Sequence, residues 1–200
     1  YAVSLTLPGV RAVVNTKGNS TATMDYAGPG PNQQTAAPGF VQGLGPQIEG
    51  LPIVKPPYGR ITAFNLNSGD QVWMAANGDG PRDHPLLKDL HLPPLGVPNR
   101  PAPLVTKTLL FIGEGSDSVI GTPQVSWGWG KKFRAYDKAT GQVVWETELP
   151  SGTTGAPMTY MNKGRQFIVV PIGARDHPAE FVALALPDSR QPSSGGGEHK

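Results

Sequence analysis

The sequence has no cysteine, almost no helix signal and little charge. With 0 Cys among 200 residues, disulfide scaffolds, thiolate zinc sites and thiol nucleophiles are excluded. A cysteine-free chain suits the periplasm, although many cytosolic proteins lack cysteine too. No run approaches the ~18 consecutive apolar residues that a membrane-spanning helix needs. No long window carries a 3.6-residue apolar period free of Gly and Pro. Charged residues make up 16% and the net charge is +2, with Lys and Arg scattered. That is too little charge for a solvating tail, and without a basic stripe no nucleic-acid partner is expected. Gly-rich phosphate loops, zinc patterns and serine nucleophile elbows are also missing. The triplet Asn19-Ser20-Thr21 is a glycosylation sequon of a kind that often arises by chance.

What is abundant is Gly (26) and Pro (22), with no collagen-like period, which means many turns or disorder. The apolar runs between them decide for turns. Strand patterns cover Ile61 to Leu66, Thr108 to Ile112, Lys132 to Tyr136, Gln142 to Glu146, Gln166 to Val170 and Phe181 to Leu186. The chain opens at Tyr1 on the apolar run to Leu7, which reads as a strand already in progress, and so as a truncation, a cleavage site or a limit of the given chain. The stretches from 8 to 58 and from 76 to 102 are Pro/Gly-rich and read as surface excursions between sheet-forming segments. Residues 188–200 read as a disordered tail.

An internal repeat is the most informative feature. Ala63-Phe64-Asn65 through Trp73 matches Ala135-Tyr136-Asp137 through Trp145 in the pattern Ala-aromatic-(Asp/Asn)-x-x-(Ser/Thr)-Gly-x-x-Val-Trp, without a gap. The small Ala lets neighbouring sheets approach, and the Asp or Asn caps the turn with its side-chain oxygen. The Gly takes φ > 0 in a hairpin, and the Trp supplies packing surface between sheets. A shorter echo, Phe181 to Leu186, stops at Pro187 before any turn or Trp. An apolar hairpin precedes the second motif (Pro103 to Gly113), and another precedes the echo (Ala156 to Val170). Each unit is thus an inner hairpin followed by an outer one, the pattern of stacked four-stranded antiparallel sheets.

With those residues on the page, the chain resembles the C-terminal part of the PQQ-dependent (quinoprotein) dehydrogenases, the glucose/alcohol dehydrogenase-like eight-bladed β-propeller family. The strings that carry the resemblance are Lys55-Pro56-Pro57-Tyr58-Gly59-Arg60-Ile61-Thr62-Ala63, Asn77 to Lys88, Leu149 to Tyr160 and Val182 to Pro187, over roughly residues 50 to 187. The fold this implies is all-β, about two and a half blades of a probable eight. These would be a blade remnant over 1–75, a blade over 76–149 and a closing blade over 150–187, together a partial propeller over 1–187.

The function it implies is oxidation of an alcohol, polyol or aldose sugar with pyrroloquinoline quinone, in the periplasm, with electrons leaving to a cytochrome or to ubiquinone. A Ca²⁺ ion would polarise the quinone and a carboxylate base would take the alcohol proton. In the family both come from earlier blades, so neither a base nor a metal ligand is assigned in this chain, and the segment alone is expected to be inactive. The remaining blades would come from the full chain or a partner chain, and an inner-membrane attachment from a region not present. The alternatives are a non-catalytic periplasmic scaffold propeller of the same repeat family, or a split subunit that never completes the site.

Three loops are cofactor- or substrate-facing by position. Arg100, in Gly96 to Pro101, could pair with a quinone carboxylate, or be an ordinary surface arginine. Trp127 and Trp129, in Ser126 to Gly130, could line a flat cofactor or a sugar, or simply pack a blade. Members of the family often carry a short acidic turn there, whereas this chain has an expanded loop from Glu114 to Gly130. Arg175 and His177, in Gly173 to Pro178, could face an acidic group and the substrate, or be surface residues.

Overall fold

The computed structural model describes residues 1–6, 12–14, 25–27, 40–41, 45–99, 101–116 and 130–187, with side chains over 1–6, 47–99, 101–116 and 130–187. The strands in chain order are β1 (Ala2–Leu5), β2 (Ala12–Val14), β3 (Asp25–Ala27), β4 (Phe40–Val41), β5 (Gly45–Ile48), β6 (Leu51–Pro52), β7 (Gly59–Phe64), β8 (Gln71–Ala76), β9 (Leu104–Val105), β10 (Leu109–Gly113), β11 (Lys132–Asp137), β12 (Val143–Glu148), β13 (Met158–Asn162), β14 (Arg165–Ala174) and β15 (His177–Ala185). Among the described residues the only helical element is a single 3₁₀ turn, Lys88–Leu90. Three antiparallel sheets dominate, in the orders β1-β7-β8, β12-β11-β10-β9 and β13-β14-β15. Two small ones, β2-β3 and β4-β5-β6, belong to the first excursion. Among the described residues only the middle main sheet has four strands; each flanking sheet has three.

The repeat makes the same hairpin twice. Ala63 lies opposite Trp73 and Ala135 opposite Trp145, and in both copies the register shifts immediately after the Ala. The turns also match. Gly69 N–H donates to the Asn65 carbonyl at 2.7 Å, and Gly141 N–H to the Asp137 carbonyl at 2.9 Å. As the sequence implies, the Asn and Asp side chains cap these turns. Asn65 Oδ1 accepts from Asn67 N–H, and Asp137 Oδ1 accepts from Ala139 N–H, Thr140 N–H and the Thr140 hydroxyl. The three donors hold the Asp137 carboxyl below its ordinary range, the Thr140 backbone bond first among them.

The three sheets stack face to face, as period-2 alternation dictates. On one face of the middle sheet Leu110, Ile112 and Tyr136 meet Ile61 of β7, with Val3, Trp73 and Ala75 around them. On the other face Phe133 meets Val170 and Ile172 of β14 and Leu149, with Phe111, Ile168, Val182 and Leu184 alongside. Each fully buried aliphatic side chain contributes about 1.5–3 kcal/mol of hydrophobic stabilisation, so these two seams hold the stack together.

Trp73 is the bolt of the first seam. Its Nε1 donates to the Lys138 carbonyl at 2.9 Å, and the Tyr1 hydroxyl donates to the same oxygen at 3.1 Å. Its ring lies where a Cβ on Gly141 would come within 2.6 Å. Gly141 therefore does two jobs: it takes φ of +74° and leaves room for the indole of the neighbouring sheet. Trp145, the equivalent residue one sheet on, is 43% exposed. The difference follows from the echo: beyond β15 the third sheet has no described counterpart of the turn at 137–141 to receive it.

The stretch from 76 to 102 is a surface excursion only in its middle: residues 82–94 are exposed or half-buried, while both ends are buried. Leu95, Gly96, Val97, Pro98 and Asn99 are buried, as are Asn77, Gly78 and Pro81. The chain doubles back on itself: Leu95, Gly96 and Val97 N–H donate to the carbonyls of Asp79, Gly78 and Asn77 at 2.9, 2.9 and 2.7 Å. Gly96 sits against Gly59, where a Cβ would meet the Gly59 carbonyl oxygen at 2.1 Å. Glycine was read in the sequence as punctuation for a surface loop. Here it allows backbone to pack on backbone.

Candidate functional site

Antiparallel pairing sorts the connections into two ends. The β7–β8, β9–β10, β11–β12 and β13–β14 connections are short hairpins at one end of the stack. The β1–β7, β8–β9, β10–β11, β12–β13 and β14–β15 connections gather at the other end. Every candidate loop named from the sequence belongs to this second set.

At that end the third main sheet and the middle one enclose a cleft of about 260 Å³. One wall, from the β10–β11 connection, supplies Ser116 and Lys131. The floor is Pro150, Ser151 and Gly152, and the other wall, at the β14–β15 turn, is Ala174, Asp176 and His177. The structure thus brings His177 to a cleft. Its Nε2 lies 2.8 Å from Glu180 Oε1, across the start of β15. Arg175 is exposed in the same turn, and it does not line the cleft. Arg100, Trp127 and Trp129 lie outside the described residues. The neighbour of Arg100, Asn99, is buried and donates from Nδ2 to the Ser116 carbonyl at 3.3 Å, so that loop is anchored at the cleft wall.

The cleft is held by hydrogen bonds between sheets. The Ser116 hydroxyl donates to the Gly173 carbonyl, and Gly115 N–H donates to Thr153 Oγ1 at 3.1 Å. Gly173 N–H donates to the Gly152 carbonyl at 3.0 Å, and Thr154 N–H to the Pro171 carbonyl at 3.0 Å. On the opposite seam Asn77 Nδ2 donates to the Gly113 carbonyl at 3.0 Å, while its Oδ1 is buried without a partner among the described residues.

Beside this lies a charge cluster that the linear sequence hides. Arg134 projects from β11 with 6% of its side chain exposed and meets three carboxylates. Its Nη1 donates to Glu114 Oε1 at 2.5 Å, its Nε to Glu146 Oε2 at 3.1 Å and its Nη2 to Asp79 Oδ2 at 3.4 Å. Lys132 bridges Asp79 and Glu146 at 3.1 and 3.2 Å, and Arg82 reaches Asp79 at 3.6 Å. Burial pulls the Arg134 guanidinium down, but the attraction and hydrogen bond of Glu114 more than offset it, so the net direction is upward. Burial likewise pushes the Tyr136 phenol up to about 12. Burial opposes ionisation of Glu146, yet the bonds from Lys132 and Arg134 hold its carboxyl below the ordinary range.

Three cations balance three carboxylates, so the cluster carries no net charge to direct at a ligand. It ties the 77–99 segment, through Asp79, to the middle sheet. Asp79 and Glu114 could have been suspected from their Gly-flanked positions, in Gly78-Asp79-Gly80 and Gly113-Glu114-Gly115. Arg134 could have been read from the face it shares with Tyr136. The linear sequence shows no reason for the three elements to converge.

The family model for the PQQ glucose/ethanol/alcohol dehydrogenase β-propeller domain matches residues 2–168. The chain belongs to this family. The glycerol dehydrogenase large subunit of Gluconobacter thailandicus is 33% identical over 151 residues, 72% of this chain and 19% of that protein. The quinoprotein glucose dehydrogenase of Gluconobacter oxydans is 31% identical over 150 residues, 70% of this chain and 17% of that protein. The quinohemoprotein alcohol dehydrogenase of Comamonas testosteroni is similar in structure with a TM-score of 0.43 and 22% identity, over 83% of this chain and 23% of that one. The chain therefore spans under a fifth of the length of these two curated relatives.

The family implies a quinone, and its anionic, oxygen-rich edge suits the Lys131 ammonium and the hydroxyls at this cleft. At about 260 Å³ the cleft is smaller than pockets that enclose a drug-sized ligand, roughly 300–1,000 Å³. These residues can hold one edge of such a molecule and not surround it. A hard dication does not fit here. Among the described residues no group of three or more His, Asp or Glu could hold a metal, and the three carboxylates that converge are taken up by Arg134, Lys132 and Arg82.

Proposed function

We propose that this chain is the C-terminal part of a periplasmic quinoprotein dehydrogenase that oxidises an alcohol, polyol or aldose sugar. The observation that carries the reading is the family match over residues 2–168, laid on sheets whose long connections all gather at one end. In this reading the sheets are successive blades: a remnant over 1–75, a blade over 76–149 and a closing blade over 150–187. Ca²⁺ and the carboxylate base that takes the substrate proton are supplied by blades outside this segment. The acceptor of the electrons is a cytochrome or ubiquinone.

When bound, pyrroloquinoline quinone takes up the two electrons and two protons released as the substrate CH–OH becomes a carbonyl. This chain's part is to build one wall of the mouth. Lys131 and Ser151 offer a cation and a hydroxyl, and the Glu180 carboxylate orients the His177 ring at the rim. Arg100, Trp127, Trp129 and Arg175 stay candidates for cofactor or substrate contact. The Asp79–Arg134–Glu114 cluster holds the segment leading to Arg100 in place.

The test reconstitutes the full-length protein with pyrroloquinoline quinone and Ca²⁺ and offers an artificial electron acceptor with a panel of alcohols, polyols and aldoses. Acceptor reduction with retained quinone absorbance is the expected result. No reduction and no retained quinone would favour a scaffold propeller of the same repeat family.

A further inference from the structure

We propose that Ser116 is a positioning residue that couples two connections at the cleft: the segment that ends at Asn99 and the β14–β15 turn that carries His177. The coupling is a property of the fold; its consequence for a substrate rests on the dehydrogenase reading. Ser116 lines the cleft, yet it is only 1% exposed. Its polar groups reach different connections. The carbonyl accepts from Asn99 Nδ2 at 3.3 Å, and the hydroxyl donates to the Gly173 carbonyl. Both partners are fixed in turn. Asn99 is 3% exposed; its N–H donates to the Val97 carbonyl at 2.8 Å, and Val97 N–H donates to the Asn77 carbonyl at 2.7 Å. Gly173 N–H donates to the Gly152 carbonyl at 3.0 Å. One residue on, Ala174 pairs with His177 across Arg175 and Asp176. A turn this short follows the strand end it closes, so the His177 ring moves with the Gly173 peptide.

The backbones around these bonds touch. A Cβ on Gly115 would lie 2.0 Å from Asn99 Nδ2, and one on Gly152 would lie 2.2 Å from the Gly115 carbonyl oxygen. Gly115 N–H also donates to Thr153 Oγ1 at 3.1 Å. With glycine at 115 and 152 there is no side chain to absorb a shift, and close-packed groups transmit strain. A displacement on one side of Ser116 therefore passes to the other. The Ser116 hydroxyl is spent on this joint and acts on a ligand only through the walls it sets. The base and the metal are assigned to blades outside this segment. Ser116 therefore governs how a substrate is held and not the chemical step.

The first measurement is hydrogen exchange by mass spectrometry on the full-length protein without cofactor. Ser116→Ala deletes the hydroxyl and adds no bulk. Exchange should quicken by about two- to tenfold, the worth of one uncharged hydrogen bond, in peptides covering 95–99 and 172–178. Asn99→Ala, at the far end of the joint, should quicken 172–178 as well, and add nothing there in the Ser116→Ala background. The turn at 137–141, at the other end of the stack, is the control and should not change. The second measurement is steady-state kinetics of the protein loaded with quinone and Ca²⁺. Ser116→Ala should raise KM about two- to tenfold and hold kcat, per bound quinone, within about twofold. A residue that only stabilises the fold would lower the loaded fraction and leave KM alone.

Unchanged exchange at 95–99 in Ser116→Ala, or at 172–178 in Asn99→Ala, overturns the coupling. Equal quickening at 137–141 overturns it too, since the whole stack would then have loosened. A wild-type KM in Ser116→Ala sinks the positioning role and leaves the dehydrogenase reading standing. A loaded protein that oxidises nothing ends the dehydrogenase reading, while the exchange data still decide the coupling.

Discussion

Consider adding one methyl group at Gly141. The residue holds φ of +74°, and a Cβ there would lie 2.6 Å from Trp73 Cδ2 and Cε3. Two costs follow for Gly141→Ala. The left-handed backbone costs an L-residue about 1–2 kcal/mol, and forcing the indole aside costs a further 1–3 kcal/mol, the usual range for overpacking. The total is about 2–5 kcal/mol. Gly164 is the control: its φ is +77°, and a Cβ there would meet nothing within 4 Å. Gly164→Ala should therefore show the backbone cost alone, about 1–2 kcal/mol. Trp73→Ala removes the obstacle, so in that background Gly141→Ala should fall to the Gly164 value. Denaturant titration of the full-length protein and the four variants gives the double-mutant cycle, with an expected coupling of about 1–3 kcal/mol. If Gly141→Ala and Gly164→Ala cost the same in the wild-type background, Trp73 does not dock on that turn, and the stacking of the two repeat hairpins has been misread.

Glu114→Ala should destabilise by about 3 kcal/mol, because it leaves a buried guanidinium with two half-exposed partners; Glu114→Gln should cost less, and thermal melting would rank them. The Tyr136 phenol, at about 12 against an ordinary 10.0, stays protonated in the folded chain while an unfolded one ionises. Stability should therefore be intact below pH 10 and fall as pH rises from 10 through 12, by about 3 kcal/mol at 1.36 kcal/mol per pH unit. Denaturant midpoints across that range should show the slope in the wild type and lose it in Tyr136→Phe. The carboxyls of Asp137 and Glu146 are held low, so their contribution is present above their ordinary range near pH 4 and is lost as pH falls through the lowered values. Thr140→Ala should flatten the Asp137 part of that acid limb.

The strands, the paired hairpins and the capped turns were legible because they depend on local chemistry. Alternating apolar residues in Lys132 to Tyr136, the side-chain oxygen of Asp137 and the positive φ at Gly141 need no knowledge of what lies elsewhere. The burial of 77–78 and 95–99 was not legible, since a glycine that permits close backbone packing looks the same in sequence as one in an open loop. Arg134 was passed over for a related reason. Its three carboxylates come from positions 79, 114 and 146, and only the stacking of one sheet and its preceding segment joins them. Of the candidate residues, His177, named for its loop after the last inner strand, lines the cleft at the loop-bearing end. Ser151 carried no signal, for only the fold brings it to the cleft floor.

The Trp73–Gly141 contact has a directional consequence. The receiving turn and the inserting ring sit on the same repeat unit and point opposite ways, so each sheet that carries the repeat is at once a socket for the one before and a plug for the one after. Lining up more such units in a row still leaves an open socket at Gly69 and an unseated plug at Trp145. A head-to-tail joint of this kind never saturates in an open row; bending the row until its ends meet is the one arrangement that seats every tryptophan.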